Sequence, residues 1–268
     1  MQRTKTMFNE NKDELPLLLL SLIMGVFVIT FIYSEMTGGD RSRSPYTFEE
    51  AVALQIEKDT QDVTIQDGRL TNAGEEQIRH YMQTDEGHYP LQHLDLREKV
   101  DVDAETLDDI LEGRGMLEGH GATYLEAQNT HDINALYLIS HTQIETGNGD
   151  SDLARGIEAD GRTYYNFFGI GAFDRQALEA GSSYAAEEDW SSPERAIMGG
   201  AAFISRDYVH DGQNTLYKMR WNPEEPGTHQ YATDIRWAVI IADIMASHYD
   251  TLGLEPGEVK FTKYREDE

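Results

Sequence analysis

The sequence predicts a helix-dominated α+β fold with one small β-element, behind a single N-terminal membrane-spanning helix. Three observations lead there. Apolar residues recur at helical spacing through most of the chain. One stretch, residues 160–174 (DGRTYYNFFGIGAFD), is rich in aromatics and glycine and breaks that period, as short strands joined by tight turns do. Residues 15–33 are almost unbroken apolar sequence.

That last run is nineteen residues long, which at helical rise spans roughly 28 Å, about the hydrocarbon thickness of a bilayer. A cleaved leader would have a shorter apolar core and small residues at its end, whereas this run closes on Phe31, Ile32 and Tyr33 and leads into Ser34 and Glu35. An uncleaved anchor over residues 15–34 is therefore expected, with residues 1–14 as a polar tail on the cytoplasmic side and the remaining domain outside. Charge alone orients it poorly: Arg3, Lys5 and Lys12 precede it, and Arg41 and Arg43 follow.

Residues 35–92 read as a linker and membrane-proximal helices, with helical spacing over 48–57 and 71–82 and a turn between them at 63–69. The main domain is expected over 93–252. It starts with an amphipathic helix at 103–111 whose first turn is acidic, followed by a helix at 117–127. A third, mostly apolar helix runs from Ala135 to Glu145, with Asp132 or Asn134 as its N-cap and Gly147 and Gly149 to stop it. Beyond the β-element, Ser192 caps a helix with Pro193 at its first position, and Gly199, Gly200, Ala201 and Ala202 predict close helix packing. Residues 218–231 read as a loop held by Pro223 and Pro226. A last helix over 234–249 turns Trp237, Ile240, Ile241 and Ile244 inward, and residues 253–268 form a charged, frayed tail.

A net charge of −27 and a pI near 4.5 argue against nucleic-acid binding and against electrostatic capture of anionic surfaces. With no cysteine there are no disulfides, thiolate metal sites or cysteine nucleophiles. No His-Glu-x-x-His spacing occurs, and the glycine pairs at 113–115 and 169–171 lack a phosphate-loop context, so neither metal nor cofactor is expected.

The 135–145 helix delivers one carboxylate, Glu145, to its own C-terminal end. There the helix dipole disfavours negative charge, and the neighbouring apolar surface penalises it too. Both favour the protonated carboxyl, and an acid that keeps its proton near neutrality can serve as a general acid. The alternative is a helix-end glutamate that is merely solvated. His141 lies one turn earlier on the same face, where it either tunes the acid or is a hydrogen-bonded core residue.

These residues carry a family resemblance. Residues 140–154 (SHTQIETGNGDSDLA) resemble the opening signature of bacterial endo-β-N-acetylglucosaminidases, the glucosaminidase-type peptidoglycan hydrolases of glycoside hydrolase family seventy-three. Residues 165–174 (YNFFGIGAFD), 196–204 (AIMGGAAFI), 216–223 (LYKMRWNP) and 227–234 (GTHQYATD) match in the same order, and the resemblance covers about 94–250. A membrane anchor ahead of such a domain resembles the staphylococcal-type membrane-bound glucosaminidases. The resemblance implies a lysozyme-like fold with a groove between a helical lobe and a small β-lobe. It also implies cleavage of the bond from N-acetylglucosamine to N-acetylmuramic acid in peptidoglycan glycan strands, and allows for a membrane-protein partner.

By position, the resemblance makes Glu145 the general acid, puts Tyr231 in the groove, and places Asp174 where relatives carry a second acidic residue. Glycoside hydrolysis commonly uses two carboxylates. Glu158, Asp160, Glu187, Glu188 and Asp189 are rivals for the second position, and attack by the substrate's own 2-acetamido group would need none of them. Asn166, Phe167, Phe168, Trp190, His229 and Gln230 are candidate sugar contacts. The competing reading puts at least one of the two Phe in the β-lobe core, and Trp221 is read as structural. Two other functions fit the same plan, a non-catalytic wall-binding scaffold and a lytic transglycosylase.

Overall fold

The computed structural model describes residues 43–58, 62–84, 89–159, 161–171 and 177–267. The anchor expected at 15–33, Asp160 and Asp174 lie outside the described residues. No helix among the described residues is long and apolar enough to cross a membrane.

Helix α1 (Phe48–Glu57) starts on a capping box, with Thr47 Oγ1 accepting from the Glu50 amide at 3.2 Å and the Glu50 carboxylate from the Thr47 amide at 2.8 Å. An antiparallel hairpin follows, β1 (Val63–Gln66) and β2 (Arg69–Asn72), paired from Val63↔Asn72 to Gln66↔Arg69. Its two loop residues, Asp67 (φ 50°) and Gly68 (φ 73°), both take the positive φ of a type I′ turn. Only the turn is legible in the sequence, because four-residue strands with mostly exposed side chains leave little alternation to detect. Helix α2 is Glu75–Met82.

The main helical lobe comprises α3 (Ala104–Leu111), α4 (Gly121–His131), α5 (Ala135–Glu145), α8 (Pro193–Ile204) and α10 (Trp237–Leu252). Residues 135–143 of α5 are all buried, and Asn134 caps it by accepting from the Tyr137 amide at 2.9 Å. Helix α10 packs along α5, and α4 packs between α3 and α8. A short helix α6 (Asp152–Arg155) leads into the small β-element, β3 (Ile157–Ala159) antiparallel to β4 (Arg162–Tyr164), with α7 (Ala177–Glu187) packed on it.

Helix α9 (Leu216–Trp221), capped by Thr215, starts before the segment expected to be loop and takes in its first residues, 218–221. Its Tyr217 and Trp221 form a second apolar cluster with Val52, Ile78, Met82 and Ile235, so α1 and α2 pack into the same compact unit as the domain expected from residue 93 onward. The tail is also tied down. Tyr217 donates to the Met82 carbonyl and accepts from Tyr264, both at 2.6 Å, and bridges join Lys263 to Arg43 and Val259 to Leu94. The charge of residues 253–268 predicted fraying, but their three anchors, buried Thr262 and half-buried Val259 and Tyr264, are spaced too irregularly to read as an element.

Candidate active site

Glu145 is the last residue of a helix whose preceding turns are sealed in the core, yet its side chain is 27% exposed. Ile144 beside it is exposed as well. The chain leaves α5 through Thr146, whose hydroxyl is bonded to the Thr142 carbonyl and accepts from the Gly149 amide, so the helix end is fixed from within.

Three neighbours shape the carboxyl. Trp237, the first residue of α10, donates Nε1–H to Glu145 Oε1 at 3.0 Å. Fully buried His141, one turn back on α5, holds Nε2 3.6 Å from the same oxygen, and that nitrogen has no hydrogen-bond partner. On the other side lies Gly169 (φ +66°), where a side-chain Cβ would come within 2.9 Å of Oε2. The 166–171 turn that carries Gly169 is held by Asn166. Its Nδ2 donates to the carbonyls of Ile170 (2.7 Å) and Gly181 (3.2 Å), and its Oδ1 accepts from the Phe168 and Ile170 amides at 3.3 Å each.

Tyr231 closes the arrangement. Its hydroxyl donates to the Phe168 carbonyl at 2.8 Å, and its ring stacks on Trp237 with centroids 5.1 Å apart. Burial, with Tyr137 and the Glu145 carboxylate nearby, raises the Tyr231 pKa well above that of an ordinary phenol, so it stays a donor. The rings of Tyr137, Phe168, Tyr231 and Trp237 pack around the His141 imidazole, with centroids 4.8 to 5.5 Å away. The result is a partly exposed carboxyl with one oxygen held by a fixed donor and the other next to open backbone. Such a group can hold and deliver a proton.

Several of the residues expected to line a groove have other work. Phe167 and Phe168 are fully buried, so their rings are core. The Phe168 ring rests on Gly200 of α8, where a Cβ would sit 2.1 Å from it. Trp190, considered as a sugar platform, is buried against Tyr184 and Gly199. The α8 glycines thus seat two aromatic rings rather than a neighbouring helix. Asn166 is buried and engaged with backbone as above. Gln230 bonds to Gln55 of α1 (3.1 Å) and to the Arg220 carbonyl (2.8 Å). Trp221 is buried under the Arg220 guanidinium, as read from sequence.

Among the acidic rivals, Glu158, Glu187, Glu188 and Asp189 are exposed, and Asp189 is ion-paired with Arg195. His229 is exposed, with Nδ1 2.5 Å from Gln213 Oε1 and its ring stacked on Tyr208, which in turn meets Tyr231 at 5.1 Å. It borders a polar cavity of about 310 Å³ lined also by Gln213, Lys218, Asn222 and Glu225; Glu145 is not part of that lining. Among the described residues no group of side chains could hold a metal ion. Sequence reasoning missed Trp237, which it assigned to the core, and Gly169. A helix-starting tryptophan with an apolar stripe behind it carries no mark of where its N–H points.

Comparison with known proteins places this geometry. Residues 121–250 match the glucosaminidase family model, described as mannosyl-glycoprotein endo-beta-N-acetylglucosaminidase. Staphylococcus aureus Autolysin E, solved in complex with a muropeptide (NAM-L-Ala-D-iGlu), superposes with a TM-score of 0.77 at 43% identity over 83% of this chain and 98% of that one. The chain belongs to the glucosaminidase family. Within that family it also resembles S. aureus glucosaminidase B, with a TM-score of 0.65 at 37% identity over 83% of this chain and 92% of that one. The bifunctional autolysin of Staphylococcus epidermidis is 45% identical over 197 residues, 69% of this chain. That match spans only 15% of the autolysin's length. A further structure at TM-score 0.77 and 42% identity, covering 83% of this chain and 99% of that one, is a catalytic glutamate-to-alanine mutant of Autolysin E with the disaccharide NAG-NAM. This glucosaminidase is thus helix-dominated with small two-stranded sheets, as its relatives are.

Proposed function

We propose that this glucosaminidase is a membrane-anchored peptidoglycan hydrolase that cuts the N-acetylglucosaminyl-β-1,4-N-acetylmuramic acid bond of glycan strands, with Glu145 as general acid. The observation that carries the reading is the carboxyl itself, accessible at the end of a sealed helix with one oxygen already committed to a donor. Relatives solved with a muropeptide and with NAG-NAM support the substrate class, and the second is a catalytic glutamate-to-alanine mutant.

In the reaction, Glu145 gives its proton to the bridging oxygen as the glycosidic bond breaks, leaving a carboxylate. Tyr231 sets the position of the 166–171 turn through the Phe168 carbonyl and presents its ring beside the acid. The positive charge that develops at the anomeric carbon is met either by a second carboxylate, with Asp174 as the candidate, or by the substrate's own 2-acetamido group. Residues 15–34 hold the enzyme at the membrane with the domain on the wall side, next to nascent strands.

Digestion of purified peptidoglycan, with product ends identified by mass spectrometry, tests the reading. Reducing N-acetylglucosamine ends are expected. Anhydro-muramyl ends would make the protein a lytic transglycosylase, and no cleavage would make it a wall-binding scaffold. Membrane fractionation of the full chain against a chain lacking residues 1–34 tests the anchor, with only the shorter protein expected in the soluble fraction.

A further inference from the structure

Resting on that reading of Glu145, we infer that Trp237 and His141 form a two-donor cradle on Oε1, which fixes Oε2 as the oxygen that carries the catalytic proton and stabilises the carboxylate as it forms.

The imidazole tautomer follows from its surroundings. The Tyr137 hydroxyl lies 3.0 Å from His141 Nδ1 and 3.6 Å from the Met219 sulfur. A ring nitrogen is a far better acceptor than a thioether, so the phenol hydrogen goes to Nδ1. The imidazole's own N–H is then on Nε2, aimed at Glu145 Oε1 across 3.6 Å. That is too long for a hydrogen bond, and it leaves Nε2, a ring nitrogen of a fully buried histidine, without a polar partner. Burial of such an N–H is costly unless something later pairs with it. Glu145 Oε1 is the group placed to do so: a shift of about half an ångström closes the gap, and catalytic hydrogen bonds are commonly long before substrate binds.

Oε1 already accepts from Trp237 Nε1–H, so an added proton on Oε1 would face two donors, whereas Oε2 lies beside Gly169, whose missing Cβ would sit 2.9 Å away, and accepts from no donor among the described residues. The proton therefore sits on Oε2. When the Oε2–H bond breaks and its hydrogen passes to the glycosidic oxygen, the electron pair stays on the carboxyl, and the charge arriving on Oε1 is met by both N–H groups. Trp237 and His141 are positioning residues, since they act through Glu145. The other titratable groups facing the carboxyl among the described residues are Tyr137 from α5 and Tyr231 from the loop before α10. Both have their pKa raised far above the ordinary phenol value, so neither supplies charge near neutrality.

The test is Trp237→Phe, which keeps a ring against Tyr231 and removes the N–H. Its kcat is expected to fall about tenfold, the effect of one hydrogen bond to a charged group. KM is expected to stay within about twofold. Loss of a donor to the carboxylate disfavours the charged form, so the alkaline limb of the kcat–pH profile is expected to move to higher pH. In a Glu145→Gln background, where no proton is delivered, Trp237→Phe is expected to change the residual rate by less than about twofold. If Trp237→Phe folds poorly, benzothienylalanine at position 237, which has the shape of tryptophan without the N–H, carries the same expectations. An unmoved alkaline limb, or an equal proportional loss in the Glu145→Gln background, overturns the cradle and leaves Trp237 a packing residue. A Glu145→Gln enzyme of ordinary activity instead overturns the general-acid reading itself, so the two failures are distinguishable.

Discussion

Two acid–base pairs in this molecule are built from similar parts and finished differently. Asp62 and Arg220 are both buried, 2.5 Å apart, and surrounded by further bonds. Gln55 donates to the other Asp62 oxygen at 2.8 Å, Arg220 also donates to the carbonyls of Thr233 and Asp234, and its guanidinium lies 4.0 Å from the Trp221 ring. Glu145 and His141 are also a carboxylate and a base, but they stand 3.6 Å apart, with the acid partly exposed and the imidazole Nε2 unpaired. The first pair is buried, with both Asp62 oxygens bonded and only Arg220 Nη1 left without a partner, and it ties the N-terminal helices to the domain. The second is left open at the carboxyl proposed to deliver a proton. Breaking the first should therefore show in stability, and disturbing the second in rate.

The largest effect expected on the closed side is that of Arg220→Ala, which strands the Asp62 carboxylate in the interior. Loss of one partner of a buried pair is expected to remove about 3–5 kcal/mol, read as a lower urea midpoint. A loss under about 1 kcal/mol would mean that α1 and the hairpin are held by apolar contact alone.

One substitution made at two glycines sharpens the contrast. At Gly200 a methyl meets the Phe168 ring at 2.1 Å inside the core, and Gly200→Ala is expected to cost about 1–3 kcal/mol by overpacking. At Gly169 the added methyl meets the free end of Glu145, which can swing away, so the stability cost is the strain of positive φ, about 1 kcal/mol. Displacing the carboxyl should lower kcat well beyond what that strain accounts for. Thermal unfolding and initial rates measured on both variants decide it. If Gly169→Ala were fully active, the carboxyl would not need the position it holds here.

Smaller again is Tyr264→Phe, which removes the hydroxyl bonded to Tyr217 and is expected to cost about 1 kcal/mol with activity intact. The pH dependence of stability belongs to the same region. His93 is packed between Tyr217 and Phe261, and burial pushes its pKa down to about 3 from 6.5. The unfolded chain takes up this proton below about pH 6.5, while the folded chain resists until about pH 3. Stability is therefore lost as pH falls through that window. His93→Phe is expected to flatten the slope of Tm against pH there, and an unchanged slope would remove His93 from the account.

Much of this was legible in the sequence where local chemistry is self-contained. The apolar run of α5 and the glycine after Glu145 place that carboxyl at a helix end, and Ser192 with Pro193 locates the start of α8; the cap of α5, open in the sequence between Asp132 and Asn134, is Asn134, while Asp132 ends the helix before it. What was not legible depends on partners distant in the chain. Phe168 is a ring in the core and a carbonyl at the site at once, because Gly200 lies under its ring and Tyr231 bonds its backbone. Asn166 resembles a sugar ligand by type but spends its amide on the turn that positions Gly169. Trp237 is 92 residues from Glu145, and no spacing rule links them. The N-terminal helices look separable in the sequence because, of the two residues that hold them, Trp221 falls in the segment read as loop and Tyr217 falls in no expected element.

The most direct measurement is the rate of Glu145→Gln on purified peptidoglycan, compared with the unaltered enzyme at equal folded concentration. The account expects a loss of at least about a hundredfold, the lower end for removal of an acid–base catalyst, with Tm nearly unchanged because the side chain is partly exposed. Turnover within a few fold of the unaltered enzyme would contradict it.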